Sequence, residues 1–434
     1  MYSNKTRAIK RRVAKKQKQN TEQKQIQDQD NHVKYPDTLD KARKYKYNFW
    51  SNKPVSKFTD IEINSQRLEE KISERKVYSS DEIKLPETMK WVQVDFDLDF
   101  NLLDNISEFL NKYYSQEIDF SPEFIKWYLR KNKIMICIMN NFDMICGIIG
   151  ATIESLTVYD KTEQFAEVKL LCAHPLYRKK KIAFTLIDEM VRRLIKLGVK
   201  QGHFLTDKCV PTPRTLIRTF YRPINYLNLA NNKFMNKGLE FGEDAETINK
   251  KFMTNAKIPE NIVIMEEKHL DSVLKLYNSY MEKFNIYHNY DKNSLQDLLF
   301  NKFVKSYVIL NSELQVMDFL SYYELITSHE SNKIISGNLY LHTCNNISLD
   351  TIIRNMIIIM EHNKIDLFNV TDIAGINDSL LSKEYDLSDN SDNDQVQNKE
   401  HVYEQKFIKG TKKLYLNFFN WRCPELKPKQ VYLF

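Results

Sequence analysis

Apolar and polar positions along the chain alternate between two rhythms, a helical period and the two-residue or continuous apolar character of strands. LLDNISEFLNKYY (102–114) carries a helical stripe, and SPEFIKWYL (121–129) opens with a serine cap and a proline in its first turn, a helix start. KIMICIMN and MICGIIGATI read as strands joined by the turn NNFD, and FAEVKLLCA as a third strand. IAFTLIDEMVRRLIKLG then places Ala183, Leu186, Ile187, Met190 and Leu194 on one helix face, with Gly198 suited to its C-terminal cap, before a further strand, KQGHFLT.

From about residue 260 the same order returns with different residues. EEKHLDSVLKLYNSYMEKF is a helix, SYVILN, QVMDFLSYYEL and GNLYLHT are strands, SLDTIIRNMIIIMEHN is a helix and IDLFNVTD a strand. The repeated order predicts two related α/β (α+β) units on one continuous mixed sheet, over 45–230 and 231–434; two unrelated α+β halves are the alternative. KEYDLSDNSDNDQVQNKEHVYE (383–404) is acidic and polar, and reads as a disordered insertion in the second unit.

The 434 residues, 42% of them hydrophobic, suffice for two packed units. The net charge of +7 is unevenly spread: the first twenty residues hold Lys and Arg but no acid. Residues 1–44 therefore read as a disordered basic arm, either a tether to RNA, ribosomes or another polyanion, or a solvated tail. The six cysteines form no CxxC pair and mostly sit in apolar runs, which fits reduced core thiols and no metal site. TIIRNMIIIM is too short to span a membrane and carries an arginine, and the N-terminus has no signal-peptide core; a soluble cytoplasmic monomer is expected. Nine glycines, with neither GxxxxGK[ST] nor GxGxxG, argue against a glycine-rich nucleotide loop.

The strongest local charge is RKKK, wedged between EVKLLC and the helix that follows. Free N–H groups at a helix start, its dipole and adjacent cations all favour an anion. The pattern Arg178-x-x-Lys181-x-Ala183 resembles the [QR]xxGx[GA] signature of acyl-CoA-dependent N-acyltransferases, with lysine where the first glycine usually stands. The equivalent turn of the second unit, TCNNISLDT (343–351), has no Lys or Arg, so only the first unit is expected to hold a polyphosphate.

EVKLLCAH resembles the EINFLCxH signature of the glycylpeptide N-tetradecanoyltransferase (protein N-myristoyltransferase) family. Other stretches are similar in the same order: YKYNFWSNKPV to FQFWxTQPV, FSPEFIKWYL to YSPEFLxWAL, TVYD to IxIYD, RTFYRPIN to RYxHRSLN, MDFLSYYEL to TDFxSFYxL, DLFNVTD to DVFNALD, and FNWRCP to YNWKCP. The likeness runs from about Tyr45 to Phe434. It implies two tandem acetyltransferase-like (GNAT) units, no permanently bound cofactor, and direct transfer of a C14 acyl group from myristoyl-CoA, the acyl-donor substrate, to the N-terminal glycine of a protein. A GNAT-type enzyme using a shorter acyl-CoA and a non-catalytic acyl-CoA-binding adaptor are the alternatives.

An α-amine of pKa roughly 8 is only about one-tenth neutral at pH 7, so a base near it is useful. The resemblance implies that this base is the chain's own C-terminal carboxylate, on Phe434, and that backbone N–H groups of Leu170 and Leu171 hold the oxyanion. It assigns acyl-CoA binding to Tyr47, Asn48, Phe49, Trp50, Leu170, Leu171, Cys172, Ala173, Arg178, Lys179, Lys180, Lys181, Ile182 and Ala183. Peptide contacts carry over to Tyr159, Lys169, Thr206, Tyr221, Thr327 and Asp372. Cys172 is read as a small core residue, and His174 as structural. Four positions depart from the family pattern. Lys169 replaces an asparagine, Leu205 stands where a threonine is expected with Thr206 one position on, Tyr221 replaces a histidine, and Thr411 replaces an acid in KFIKGTK (406–412).

Overall fold

The computed structural model describes residues 35–60, 64–79, 81–115, 118–178, 180–210, 212–235, 244–329, 332–381, 384–386, 402–404 and 407–434. Most of the basic arm and the middle of the acidic stretch lie outside the described residues. The ends of that stretch, Glu384–Asp386 and Val402–Glu404, pair antiparallel.

Fourteen strands form one mixed sheet. In chain order they are β1 (Met89–Gln93), β2 (Lys133–Asn140), β3 (Ile145–Val158), β4 (Lys161–Ala173), β5 (Gly202–Thr206), β6 (Thr215–Pro223), β7 (Ile262–Ile264), β8 (Ile286–His288), β9 (Val304–Leu310), β10 (Val316–His329), β11 (Asn332–His342), β12 (Leu367–Thr371), β13 (Ile408–Phe419) and β14 (Val431–Tyr432). The helices that matter here are α1 (Phe100–Tyr113), α2 (Pro122–Tyr128), α3 (Ile182–Lys196), α4 (Leu270–Met281) and α5 (Leu349–His362).

The repeated order seen in the sequence is a repeated topology. β2, β3 and β4 run antiparallel, then β4 pairs parallel with β5 after the α3 crossover. β9, β10 and β11 run antiparallel, then β11 pairs parallel with β12 after α5. Local chemistry sets the helix ends as expected. The Ser121 side chain accepts from Phe124 N at the start of α2. Gly198, at φ +85°, follows α3, whose Leu194 carbonyl accepts from Val199 N, the wrap that a residue without a side chain closes at least cost.

Two exchanges fuse the units, and neither is visible in the local pattern. β13, from the end of the chain, inserts between β5 and β6 and pairs antiparallel with both. β8 pairs with the far end of β3, and the terminal strand β14 adds parallel to β8. The tail is fastened by Tyr432, whose buried hydroxyl accepts from His342 N at 2.7 Å and donates to His342 O at 2.6 Å. The last residue of the second unit is thereby delivered to the first. Among the described residues no helix is long and apolar enough to cross a membrane.

Candidate active site

The opening in the sheet lies where β4 and β5 part. Their parallel ladder ends at Val168 and Phe204, while β4 continues along β3 to Ala173 and β5 along β13 to Thr206. At that point β4 is kinked. Ile148 faces Cys172 and Gly150 faces Lys169, so Leu170 and Leu171 stand together opposite one residue, Ile149, as in a β-bulge. Leu170 holds φ at +55°, a left-handed conformation that is costly for a leucine. Its side chain, 1% exposed, belongs to the core cluster that includes Leu129, Ile148 and Cys172, and this burial favours the kink. The N–H groups of Leu170 and Leu171 are thus taken out of the ladder register beside the opening.

α3 starts at the end of this strand. Lys181, its N-cap, has φ +62° and makes no side-chain cap, and Arg178, Lys180 and Lys181 are exposed around it; Lys179 lies outside the described residues. Gly147 lets the helix approach the sheet, since a Cβ there would lie 2.8 Å from Ile182 Cγ2. The second unit differs at the matching place. Asp318, the third residue of β10 as Gly147 is of β3, is fully buried. Its carboxylate accepts from Thr343 Oγ1 at 2.8 Å, Asn345 N at 2.9 Å, and Asn346 N and Ile347 N at 2.8 Å each. The second turn therefore binds an anion that the protein itself supplies.

Tyr47, Phe49 and Trp50 pack the N-terminal segment over β5 and α3. The Tyr47 hydroxyl donates to Cys209 O at 2.6 Å, Phe49 stacks on Phe184 at 4.3 Å, Trp50 stacks on Phe204 at 5.7 Å, and Asn48 is exposed. Burial raises the Cys172 thiol to about 12, which keeps it unreactive near neutrality. His174 accepts from Leu176 N and caps the turn that follows it.

The other end of the opening is a buried polar cluster. Arg130 Nη2 donates to the main-chain O of Phe434 at 2.6 Å, and Arg130 Nη1 lies 3.7 Å from Glu167 and 3.9 Å from Glu154. Lys169 Nζ lies 2.8 Å from Glu167 Oε2 and donates to Tyr128 O at 3.3 Å. Lys169, Leu170, Leu171 and Phe434 are thus brought together through Arg130 and Glu167. Burial works against the Glu167 charge, but Lys169 and Arg130 outweigh it and hold the carboxyl well below its ordinary range. Burial lowers Lys169 to about 8, against the pull of Glu167. Burial likewise pushes Glu154 up, opposed by Arg130.

His203, His288 and Tyr290 complete the cluster. Among the described residues, His203 Nε2, His288 Nδ1, the Tyr290 hydroxyl and Arg130 Nη1 are buried with no hydrogen-bond partner, an arrangement that suits a polar ligand. Donor atoms of Glu167, His203 and His288 lie within 4.8 Å of one another. Lys169 and Arg130 sit on the same carboxylate, and their two positive charges oppose a divalent ion there.

The remaining sequence-derived positions spread out. Tyr159, at φ +57°, forms the tip of the β3–β4 hairpin, where its N–H donates to Asn285 O at 2.6 Å. Tyr221 and Asp372 share the β6–β12 seam: Tyr221 faces Asn369, and Asp372 accepts from Arg218 N at 2.7 Å and Arg218 Nη1 at 3.1 Å. Burial raises the Asp372 carboxyl while Arg218 opposes the rise. Thr327 stands on β10 opposite Ile334, and Thr206 ends β5, its hydroxyl accepting from Lys208 N. Sequence reasoning gave no role to Arg130, Glu154, Glu167, His203, His288 or Tyr290. The readable hint was Glu167 and Lys169, two apart on one strand and so on one face.

Neutral buried histidines make stability pH-dependent. Burial lowers His203 and His342 to about 4, and His288 well below its ordinary value. The unfolded chain takes protons from about pH 6.5 downward, whereas the fold refuses them. This stability is therefore complete above about pH 6.5 and lost as pH falls toward 4. Between pH 7 and 5 each histidine should cost roughly 1.5 kcal/mol. Urea unfolding at the two pH values is expected to show a loss of several kcal/mol; an unchanged midpoint would contradict this account.

Known proteins resemble this chain along most of its length. Residues 68–216 match the family model for the N-terminal domain of myristoyl-CoA:protein N-myristoyltransferase, and residues 240–393 that for its C-terminal domain, together well over half of the chain. The chain is 26% identical to the probable glycylpeptide N-tetradecanoyltransferase of Caenorhabditis elegans, over 91% of this chain and 87% of that protein. It is 24% identical to glycylpeptide N-tetradecanoyltransferase 2 of Bos taurus, over 91% and 77%. The crystal structure of Saccharomyces cerevisiae N-myristoyltransferase with bound myristoyl-CoA has the same fold, with a TM-score of 0.75 at 21% identity, covering 88% of this chain and 94% of that one. With both of its domains matched in order, the chain belongs to the myristoyl-CoA:protein N-myristoyltransferase family and is an acyltransferase.

Proposed function

We propose that the protein transfers a myristoyl group from myristoyl-CoA to the N-terminal glycine amine of substrate proteins, by direct attack of the amine on the thioester. The observation that carries this reading is the hydrogen bond from Arg130 to Phe434 O, which ties the residue expected to bear the C-terminal carboxylate to the buried polar cluster beside the Leu170 kink. Glu167 and the Phe434 carboxylate offer negative charge to an incoming glycyl ammonium, beside Arg130 and Lys169.

In this reading the CoA phosphates lie on the uncapped start of α3 among Arg178, Lys180 and Lys181, and the Tyr47–Trp50 segment covers the donor. The thioester carbonyl points at the N–H groups of Leu170 and Leu171, which stabilise the oxyanion because the kink has already aimed them. The Phe434 carboxylate receives a proton from the ammonium. Tyr159, Thr206 and Tyr221 of the first unit and Thr327 and Asp372 of the second belong to the peptide side. The uncapped first turn and the Asp318-filled second turn support the assignment of acyl-CoA to the first unit. A cytoplasmic monomer remains part of this reading, and an RNA or ribosome contact is left to the basic arm.

The test is mass spectrometry of a peptide beginning with glycine after incubation with the protein and either myristoyl-CoA or acetyl-CoA. A C14 adduct on the glycine amine is expected; absence of that adduct, or preference for acetyl-CoA, would overturn the proposal. Replacing Arg178, Lys180 and Lys181 together by alanine should raise KM for myristoyl-CoA by about tenfold or more, in a salt-dependent manner, with a smaller effect on kcat.

A further inference from the structure

An oxyanion hole and a base serve one reacting carbon only if their separation is fixed, because a shift of about 1 Å costs a large factor in turnover. Here the two come from opposite ends of the fold. The kinked Leu170–Leu171 strand belongs to the first unit, and Phe434 ends the second. Phe434 O is held by Arg130, which directly follows the α2 end at Leu129.

That end of α2 is tied to the sheet at two successive carbonyls. Leu129 O accepts from Thr152 Oγ1 of β3 at 2.7 Å. Gly150, which faces Lys169 across the β3–β4 ladder, leaves room for Leu129, since a Cβ there would lie 3.0 Å from Leu129 Cδ2. The preceding carbonyl, on Tyr128, is of the kind a helix end leaves without a partner in its own helix. β4 supplies the partner: Lys169 Nζ donates to Tyr128 O at 3.3 Å. The same Nζ lies 2.8 Å from Glu167 Oε2 and 4.5 Å from the centre of the Tyr128 ring, and the side chain is 8% exposed. A carboxylate, a carbonyl and a ring face all favour an ammonium. Its charge is therefore taken up inside the protein, by groups that also hold Arg130, whose Nη1 lies 3.7 Å from Glu167.

We infer that Lys169 is a positioning residue, an ammonium clamp that fixes Arg130, and with it the Phe434 carboxylate, against the strand carrying the oxyanion donors. The inference rests on the acyltransfer reading above. Lys169 directly precedes Leu170, whose left-handed backbone and buried side chain anchor the strand in the core. From this anchor the ammonium reaches α2 in two ways, through Tyr128 O and through the Glu167 carboxylate shared with Arg130. Without it Glu167 has Arg130 as its remaining close cation and draws the guanidinium away from the tail, a pull that Glu154, 3.9 Å from the same Nη1, adds to. The clamp works by geometry and charge, and the lysine neither gains nor loses a proton.

Lys169→Met keeps the length and the apolar contacts but removes the charge. kcat is expected to fall about tenfold or more, with myristoyl-CoA affinity unchanged by titration calorimetry and peptide KM within about threefold of wild type. A residue that only touched the peptide would raise KM instead, and one that only supported the fold would lower the melting temperature without slowing the folded enzyme. The decisive arm repeats the substitution in the protein extended by one glycine after Phe434. There the carboxylate is already displaced, so Lys169→Met should slow turnover by less than about threefold, whereas independent effects would multiply. Calorimetry counts the folded sites, and Lys169→Gln, also uncharged, takes the place of the methionine variant if that one does not fold. A kcat within about threefold of wild type in the natural chain, or the full loss again in the extended one, would overturn the inference and leave the acyltransfer reading standing. A wild-type protein that forms no C14 adduct would instead remove that reading and this inference with it.

Discussion

One glycine appended after Phe434 should lower kcat by about 100-fold or more while myristoyl-CoA still binds. The addition converts the carboxylate beside Arg130 into a neutral amide and moves the new carboxylate about 3.5 Å along the chain. Arg130 Nη2 keeps a carbonyl to donate to, but loses the charge that balanced it in a buried site. The effect should be confined to turnover, because the uncapped α3 turn and the Tyr47–Trp50 segment, to which acyl-CoA is assigned, do not involve the tail. Steady-state kinetics alongside a direct binding measurement would separate the two. Turnover equal to wild type would remove the carboxylate from the mechanism. Arg130 itself follows α2 at φ +59°, a position usually given to glycine or asparagine. A long cation accepted at that conformational cost fits a residue required for its position.

Asp318→Ala should destabilise the protein by about 3–5 kcal/mol, a loss large enough to reduce soluble yield. The substitution leaves three backbone N–H groups and the Thr343 hydroxyl without their shared acceptor in a fully buried turn. Unsatisfied buried donors cost about 1–3 kcal/mol each, and relaxation or entry of water recovers part of the sum. Chemical unfolding would measure the loss, and a change below about 1 kcal/mol would show that the turn does not depend on this carboxylate. The same residue explains the division of labour between the units. A helix start after a strand attracts an anion in both. In the second unit the anion is an aspartate two residues into β10; in the first, Gly147 holds the matching position and the turn stays uncapped among cations.

The sequence by itself determined the elements and their order. Serine, proline and glycine at helix ends, the helical stripe of α3 and the apolar runs of β2 to β4 act over a few residues, so they are readable without the fold. It also placed the kinked strand and the basic turn, because both lie within one continuous stretch, Glu167 to Ala183. The tertiary structure alone decided what surrounds them. Arg130, Glu154, Glu167, His203, His288, Tyr290 and Phe434 come from six separate segments of the chain. They meet because β5 pairs with β4, setting His203 opposite Glu167, and because β8 and β14 add to the edge of β3. No local period records such long-range pairings, and a lysine such as Lys169 looks the same in a sequence whether it faces solvent or a buried carboxylate. Its chemistry comes from burial and from its neighbours, and only the fold supplies either.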